Sequence, residues 1–145
     1  MNIAITGSRK GISRKKVEEQ LSWYTGSNNH WILGGAMGVD QYALDFLIAH
    51  NEDFEVIVPF TIENTPKSDN VRETLRKVSN RVVELNQEIK MPWVVLFQNR
   101  NIAMVDKAEL VLAFPSSFKG GTRNCIDYAK LRQRTVIELD CREIQ

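Results

Sequence analysis

The sequence predicts a three-layer α/β/α domain built on a mostly parallel sheet. Three observations carry that expectation. Short apolar runs alternate with segments of helical spacing along the chain, the order that builds parallel sheets with helices on both faces. The first run is apolar at consecutive positions, as a strand buried on both faces is. Three of the runs lead into glycine-bearing turns: Thr6-Gly7-Ser8-Arg9, Gly34-Gly35-Ala36-Met37-Gly38-Val39-Asp40 and Gly120-Gly121-Thr122-Arg123.

Each element can be justified in order. Asn2 to Thr6 reads as a central strand. Ser13 is an N-cap candidate, with Val17, Leu21 and Tyr24 at helical spacing behind it. Gly26-Ser27-Asn28-Asn29 closes that helix with loop chemistry. Trp31 to Leu33 is the second strand. Val39, Ala43, Phe46, Leu47 and His50 trace one face of the second helix. Phe54 to Val58 is the third strand, stopped by Pro59. A charged helix is expected from Thr65-Pro66 through Lys77, and a short strand over Arg81 to Leu85. Met91-Pro92 opens a helix with proline in its first turn, and Trp93, Phe97, Ile102, Met104, Val105 and Ala108 are its expected apolar face. Glu109 to Phe114 is a further strand, Gly121 to Arg132 a helix and Thr135 to Leu139 the last strand. No internal repeat or low-complexity segment interrupts the pattern.

Composition narrows the function classes. The chain has 145 residues, 43% hydrophobic and 26% charged, as expected of one soluble domain over 1–145. Nineteen basic and eighteen acidic residues give a net charge of +1. No global field draws the chain to nucleic acid or membrane, so any basic footprint is local. Cys125 and Cys141 lack metal spacing and read as free thiols of a reducing compartment. His30 and His50 stand apart from the cysteines, so neither a metal nor a cofactor is expected. The N-terminal Met-Asn-Ile-Ala-Ile-Thr reads as a strand, not a leader, and no stretch has the length of a membrane span. The expected location is the cytoplasm, with no membrane partner.

The glycine turns are where chemistry is expected. In open parallel sheets, ligands bind beyond the carboxyl ends of the strands, where strand order reverses. Helix starts there present unpaired N–H groups to anions, and glycine lets a ligand come close. Thr6, Gly7, Ser8 and Arg9 place hydroxyls and a cation around a glycine, a set that suits phosphate or ribose oxygens. Met37 is read either as the floor of the site or as core filler. A carboxylate would repel phosphate, so Asp40 either caps its own helix or accepts from sugar hydroxyls. In the third turn Gly120, Gly121 and the Thr122 hydroxyl offer a phosphate cradle, Lys119 and Arg123 add charge, and Phe118 is a stacking candidate. Arg100-Asn101 interrupts an apolar helix face. Its choices are to pin a neighbouring carboxylate or to reach the ligand cleft.

These pieces, with Arg100-Asn101-Ile102-Ala103-Met104 and Ala108-Glu109-Leu110-Val111-Leu112-Ala113, resemble the SLOG superfamily. This is the Rossmann-like group that includes the DNA-processing protein DprA and the LOG phosphoribohydrolases. The resemblance runs from Met1 to about Leu139 and looks closest to the small single-domain members. It implies a nucleotide or nucleotide-derived ligand in the cleft and a homodimer or larger homo-oligomer. LOG enzymes cleave the N-glycosidic bond of nucleoside monophosphates, with a signature resembling Pro-Gly-Gly-x-Gly-Thr-x-x-Glu. Setting Gly121-Thr122 on that signature puts Arg123, Asn124 and Cys125 where acids are expected. Without a carboxylate there, hydrolysis loses a main contributor, and Asp127, one turn on, is not expected to replace it. No catalytic residue is therefore assigned.

The expectation is a domain that binds a nucleotide-derived ligand as a sensor or carrier, without chemistry of its own. Thr6 to Arg9, Gly34 to Gly38 and Gly120 to Arg123 would cradle phosphate, Asp40 would hold ribose, and Arg100 with Asn101 would complete the site. One alternative is a LOG-like N-glycosidase with an altered acid. Another is a DprA-like single-stranded DNA binder using Arg9, Lys10, Arg14, Lys15 and Lys16, although a solvated helix face explains that cluster better.

Overall fold

The structure is a computed structural model, and it describes residues 1–64, 69–88, 90–117 and 119–144. The strands are β1 (Asn2–Gly7), β2 (His30–Leu33), β3 (Asp53–Val58), β4 (Val82–Glu84), β5 (Leu110–Phe114) and β6 (Thr135–Glu138). The helices are α1 (Arg14–Ser22), α2 (Val39–Ala49), α3 (Asp69–Lys77), α4 (Trp93–Lys107) and α5 (Gly121–Leu131). The strands form one sheet in the order β4-β3-β2-β1-β5-β6, every neighbouring pair parallel. The expected three-layer, Rossmann-like α/β/α architecture is therefore present. The chain builds outwards from β1 to β4, and α4 then carries it back to β5 on the other side of β1. That reversal opens a crevice at the carboxyl ends of β1 and β5.

The sheet separates two apolar layers. On one face Ile3, Ile5, Trp31 and Leu33 pack with Val17 and Leu21 of α1 and Val39, Ala43 and Leu47 of α2. On the other, Ala4, Ile32, Ile57 and Val111 meet Met104 and Val105 of α4 and Cys125 and Ala129 of α5. Alternate positions of one strand thus serve opposite cores, which explains the continuous apolar runs. Ser13 caps α1 as expected, its Oγ accepting from the Lys16 amide at 3.3 Å. Thr65 and Pro66, the expected start of the third helix, lie outside the described residues.

Two details of α4 differ from expectation. Pro92 is its N-cap, not its first helical residue. The buried positions are Leu96, Arg100, Asn101, Met104 and Val105, while Trp93 is 47% exposed. The polar pair faces inward because each partner is satisfied there. Arg100 Nε donates to Asn101 Oδ1 at 2.9 Å, and Arg100 Nη1 donates to the Gly34 carbonyl. Both cysteines are free and buried. Among the described residues no helix is long and apolar enough to cross a membrane, and no His/Cys/Asp/Glu group is placed to hold a metal ion.

At the amino end of the sheet, His30 bridges two carboxylates. Its Nδ1 lies 2.8 Å from Asp53 and its Nε2 2.7 Å from Glu55, which also accepts from Lys107 Nζ at 2.7 Å. Burial alone would lower the His30 pKa, but the bonds to Glu55 and Asp53 outweigh it and the net shift is upward. The folded state then holds the proton more tightly than the unfolded one. The contribution is complete below the unfolded value of about 6.5 and fades as pH rises through the higher folded value. Urea titrations should show His30→Gln costing about 1 kcal/mol near pH 6 and almost nothing near pH 9. A pH-independent cost would show that the charge plays no part.

Candidate functional site

The crevice holds a cavity of about 440 Å³, within the size range of small-ligand sites. One wall is the first turn, Thr6 to Lys10. The opposite wall is the third, with Ser116, Ser117 and Lys119 to Thr122. Ala36 and Asp40 lie at the start of α2, and Phe97, Arg100 and Asn101 close the cavity from α4. Segments far apart in sequence converge because parallel strands deliver all their carboxyl ends to one edge.

Contacts between the turns fix the shape. The Ser8 amide donates to the Phe114 carbonyl at 3.1 Å. The Ser116 amide and hydroxyl both donate to Ser8 Oγ at 2.8 Å. A Cβ on Gly7 would lie 2.5 Å from the Val39 side chain, so glycine is what lets β1 meet the start of α2. Thr6 Oγ1 hydrogen-bonds the Cys125 thiol, which burial pushes up to about 11 despite that bond. At neutral pH Cys125 is a thiol packed behind the cavity, not a nucleophile.

The start of α5 is open. Neither the Gly121 nor the Thr122 amide donates to another described residue. Gly120 takes φ +99°, and a Cβ at Gly120 or Gly121 would meet nothing within 4 Å. Two helix-start amides with no acceptor among the described residues, with the Thr122 hydroxyl and Lys119 beside them, form an anion-binding arrangement.

The second glycine turn is closed instead. The Val39 amide donates to the Ser8 carbonyl at 3.3 Å, and the Ala36 amide donates to Asp40 Oδ2 at 3.0 Å. A Cβ on Gly38, at φ +73°, would lie 2.6 Å from the Ser8 and Arg9 carbonyls. The Val39 and Ala36 amides are thus taken by the protein's own oxygens. Gly34, Gly35 and Gly38 are not among the residues that line the cavity. Met37 is half exposed and faces a separate hollow with Tyr42 and Val71. Arg123 also turns away, its Nη2 2.9 Å from Glu138 Oε1 in a hollow behind the third turn. Phe118 lies outside the described residues.

Asp40 and Arg100 hold Gly34 from two sides. A Cβ there would lie 2.7 Å from Arg100 Nη1 and 3.0 Å from Asp40 Oδ2. Asp40 is 6% and Arg100 7% exposed. Burial raises the Asp40 pKa against the opposing Arg100 charge and the amides of Ala36 and Gly34. Burial also lowers Arg100, with Asp40 opposing. Asp40 Oδ1 is buried without a hydrogen-bond partner among the described residues. The Oδ2 bond ties Asp40 back to the turn that precedes its own helix, whose N-cap is Gly38.

Solved structures with the same architecture fix the fold. DNA processing protein A from Helicobacter pylori, described for its unique single-stranded DNA binding mode, superposes with a TM-score of 0.81 at 17% identity over 98% of this chain. The chain has the fold of DNA processing protein A. The Streptococcus pneumoniae protein of that name gives 0.74 at 16% identity over 94% of the chain. TM1055, a structural genomics target, gives 0.65 at 14% over 93%, and 71% of its own length is covered. The chain spans 66% of the Helicobacter chain and 49% of the Streptococcus chain. No family model and no curated protein matches it in sequence.

On this DNA-processing-protein fold the cavity includes Phe97, Ser116 and Ser117, which the sequence did not assign to it, together with Lys119, read there as added charge on the third turn, and Lys10, read there only in the DNA-binding alternative. The serines precede the third glycine pair and were legible as hydroxyls beside it. Phe97 was hidden among apolar positions, and its spacing of three from Arg100 was the available signal. The Arg9 and Arg100 guanidinium carbons lie 5.6 and 5.4 Å from its ring centroid. Of the basic cluster, Arg14 pairs with Asp45 and Glu18, and Lys16 donates to the Arg142 carbonyl.

Proposed function

We propose that the cavity binds a nucleotide or nucleotide-derived ligand by its phosphate, as a sensor or carrier without chemistry of its own. One observation carries the reading: the amides of Gly121 and Thr122, without an acceptor among the described residues, lie at a cavity whose lining holds Arg9, Lys10 and Lys119. The only carboxylate among the described lining residues, Asp40, is 6% exposed and has its Oδ2 committed to the Ala36 amide. Asp127 is exposed on α5 and away from the cavity. Both facts support binding over glycosidic hydrolysis. The SLOG resemblance points to the same ligand class.

Thermal shift is the direct test. A ligand at a hundred times its dissociation constant adds about 2.7 kcal/mol, or roughly 5–10 °C in melting temperature for a chain of this size. Mono-, di- and cyclic nucleotides should include at least one that does so. A flat response to all of them overturns the reading. Release of free base from nucleoside monophosphates would install the glycosidase alternative.

A second reading rests on the Helicobacter structure of the same fold, whose description names single-stranded DNA. Oligonucleotide retention that falls steeply with salt would promote it.

A further inference from the structure

The wall contributed by α4 does not fit a bare phosphate site. Phe97 lines the cavity, and two guanidiniums lie over its ring. One turn earlier, Trp93 stacks on it at 5.8 Å and 28°, and Phe60 packs against the Trp93 edge at 5.7 Å. This aromatic series runs from the cavity to the surface. Trp93 is 47% exposed, and Met91, Val94 and Val95 beside it are also open to solvent. A large exposed apolar patch is informative where a single exposed residue is not. Here the patch adjoins Phe97 on the inner wall of the cleft, and Phe97 carries cations over its ring. Guanidinium and indole planes at the end of a basic cleft are the surfaces on which nucleobases stack.

We infer that the α4 wall is the base-recognition surface of the site: the ligand's base stacks against the Trp93–Phe97 step while its phosphate lies at the start of α5. This rests on the nucleotide reading above and goes beyond it. It makes Trp93 a specificity-determining residue, and it makes the ligand one that carries an aromatic base, selected over a sugar phosphate of equal charge. Stacking on aromatic side chains tolerates all four bases, so the discrimination is between base and no base more than among bases.

Calorimetric titration of the intact chain with the four ribonucleoside 5′-monophosphates and with ribose 5-phosphate tests this. The monophosphates are expected to bind about 5- to 150-fold tighter than ribose 5-phosphate, the range that one stacked base supplies. Trp93→Leu should collapse that difference, and Trp93→Tyr should restore most of it. The ligand comparison in the parent chain decides the matter even if Trp93→Leu folds poorly. Ribose 5-phosphate binding as tightly as the nucleotides would overturn the inference and leave the phosphate site standing. Neither binding would overturn both readings. A dimer that Trp93→Leu converts to monomer, with base preference intact, would give the face to a second copy and overturn the inference.

Discussion

Gly121→Leu is expected to weaken nucleotide binding by about 100-fold or more, equivalent to roughly 2.7 kcal/mol, without destabilising the fold. A Cβ at this position meets nothing within 4 Å, so the new side chain has room. Gly121 is the first residue of α5 and its φ is not positive. Replacing glycine there removes backbone freedom from the unfolded chain, which by itself adds a few tenths of a kcal/mol up to about 1. The isobutyl group would project into the space where the amides of Gly121 and Thr122 await an acceptor. Binding and folding therefore separate at this residue. Gly120 would not serve, because at φ +99° any side chain is strained and a loss of binding would be ambiguous. The measurements are a melting curve and a ligand titration on the same sample. Full affinity in a stable Gly121→Leu protein would reduce the third turn to a connection.

Secondary structure was legible because each strand and helix carried its own period. The strands from Asn2, Trp31, Phe54, Glu109 and Thr135 fall within about a residue of their observed bounds, since glycine, proline and loop residues mark where they stop. The convergence of the first and third turns followed from parallel connectivity alone. What sequence could not supply was which helix starts stay open. The second glycine turn has richer motif chemistry than the third, yet Ser8, a residue of a different turn, closes it through its backbone carbonyl. That carbonyl has no side-chain identity to read. Arg123 misleads for a similar reason. Its helical position places it toward β6, where Glu138 accepts it, and the pairing depends on β5 lying between β1 and β6. Trp93 and Phe97 were counted as core because aromatic residues at a spacing of four usually are. Their true setting, Phe97 on the cleft wall and Trp93 half exposed beside it, depends on the rotation of α4 that burying Arg100 dictates.

The largest stability effect is expected at Arg100 itself. Arg100→Leu keeps the bulk but strands three groups at once. The Gly34 carbonyl and Asn101 Oδ1 lose their donor, and Asp40 loses its foremost countercharge. Removing one member of a buried charge pair typically costs about 3–5 kcal/mol, roughly 10 °C or more in melting temperature here. The pH dependence has a definite sign. Asp40 already has a raised pKa from burial, and Arg100 is the foremost influence opposing that rise. Without Arg100 the folded-state value rises further, so the folded form binds the proton more tightly than the unfolded form. Stability then declines as pH climbs from about 4 through the folded value. The Arg100→Leu protein should come closest to its parent in mild acid and fall away towards neutrality. Adding Asp40→Asn should reverse part of the loss at neutral pH, since the amide oxygen can still accept from Ala36 while the stranded charge is gone. In the parent, Asp40→Asn alone should destabilise, because it leaves the Arg100 charge uncompensated. A double-mutant cycle should therefore return a coupling above about 1 kcal/mol. Additive losses, with no pH dependence between them, would mean that the two residues are neighbours in the fold without being partners. The turn at Gly34 would then be held by hydrogen bonds alone.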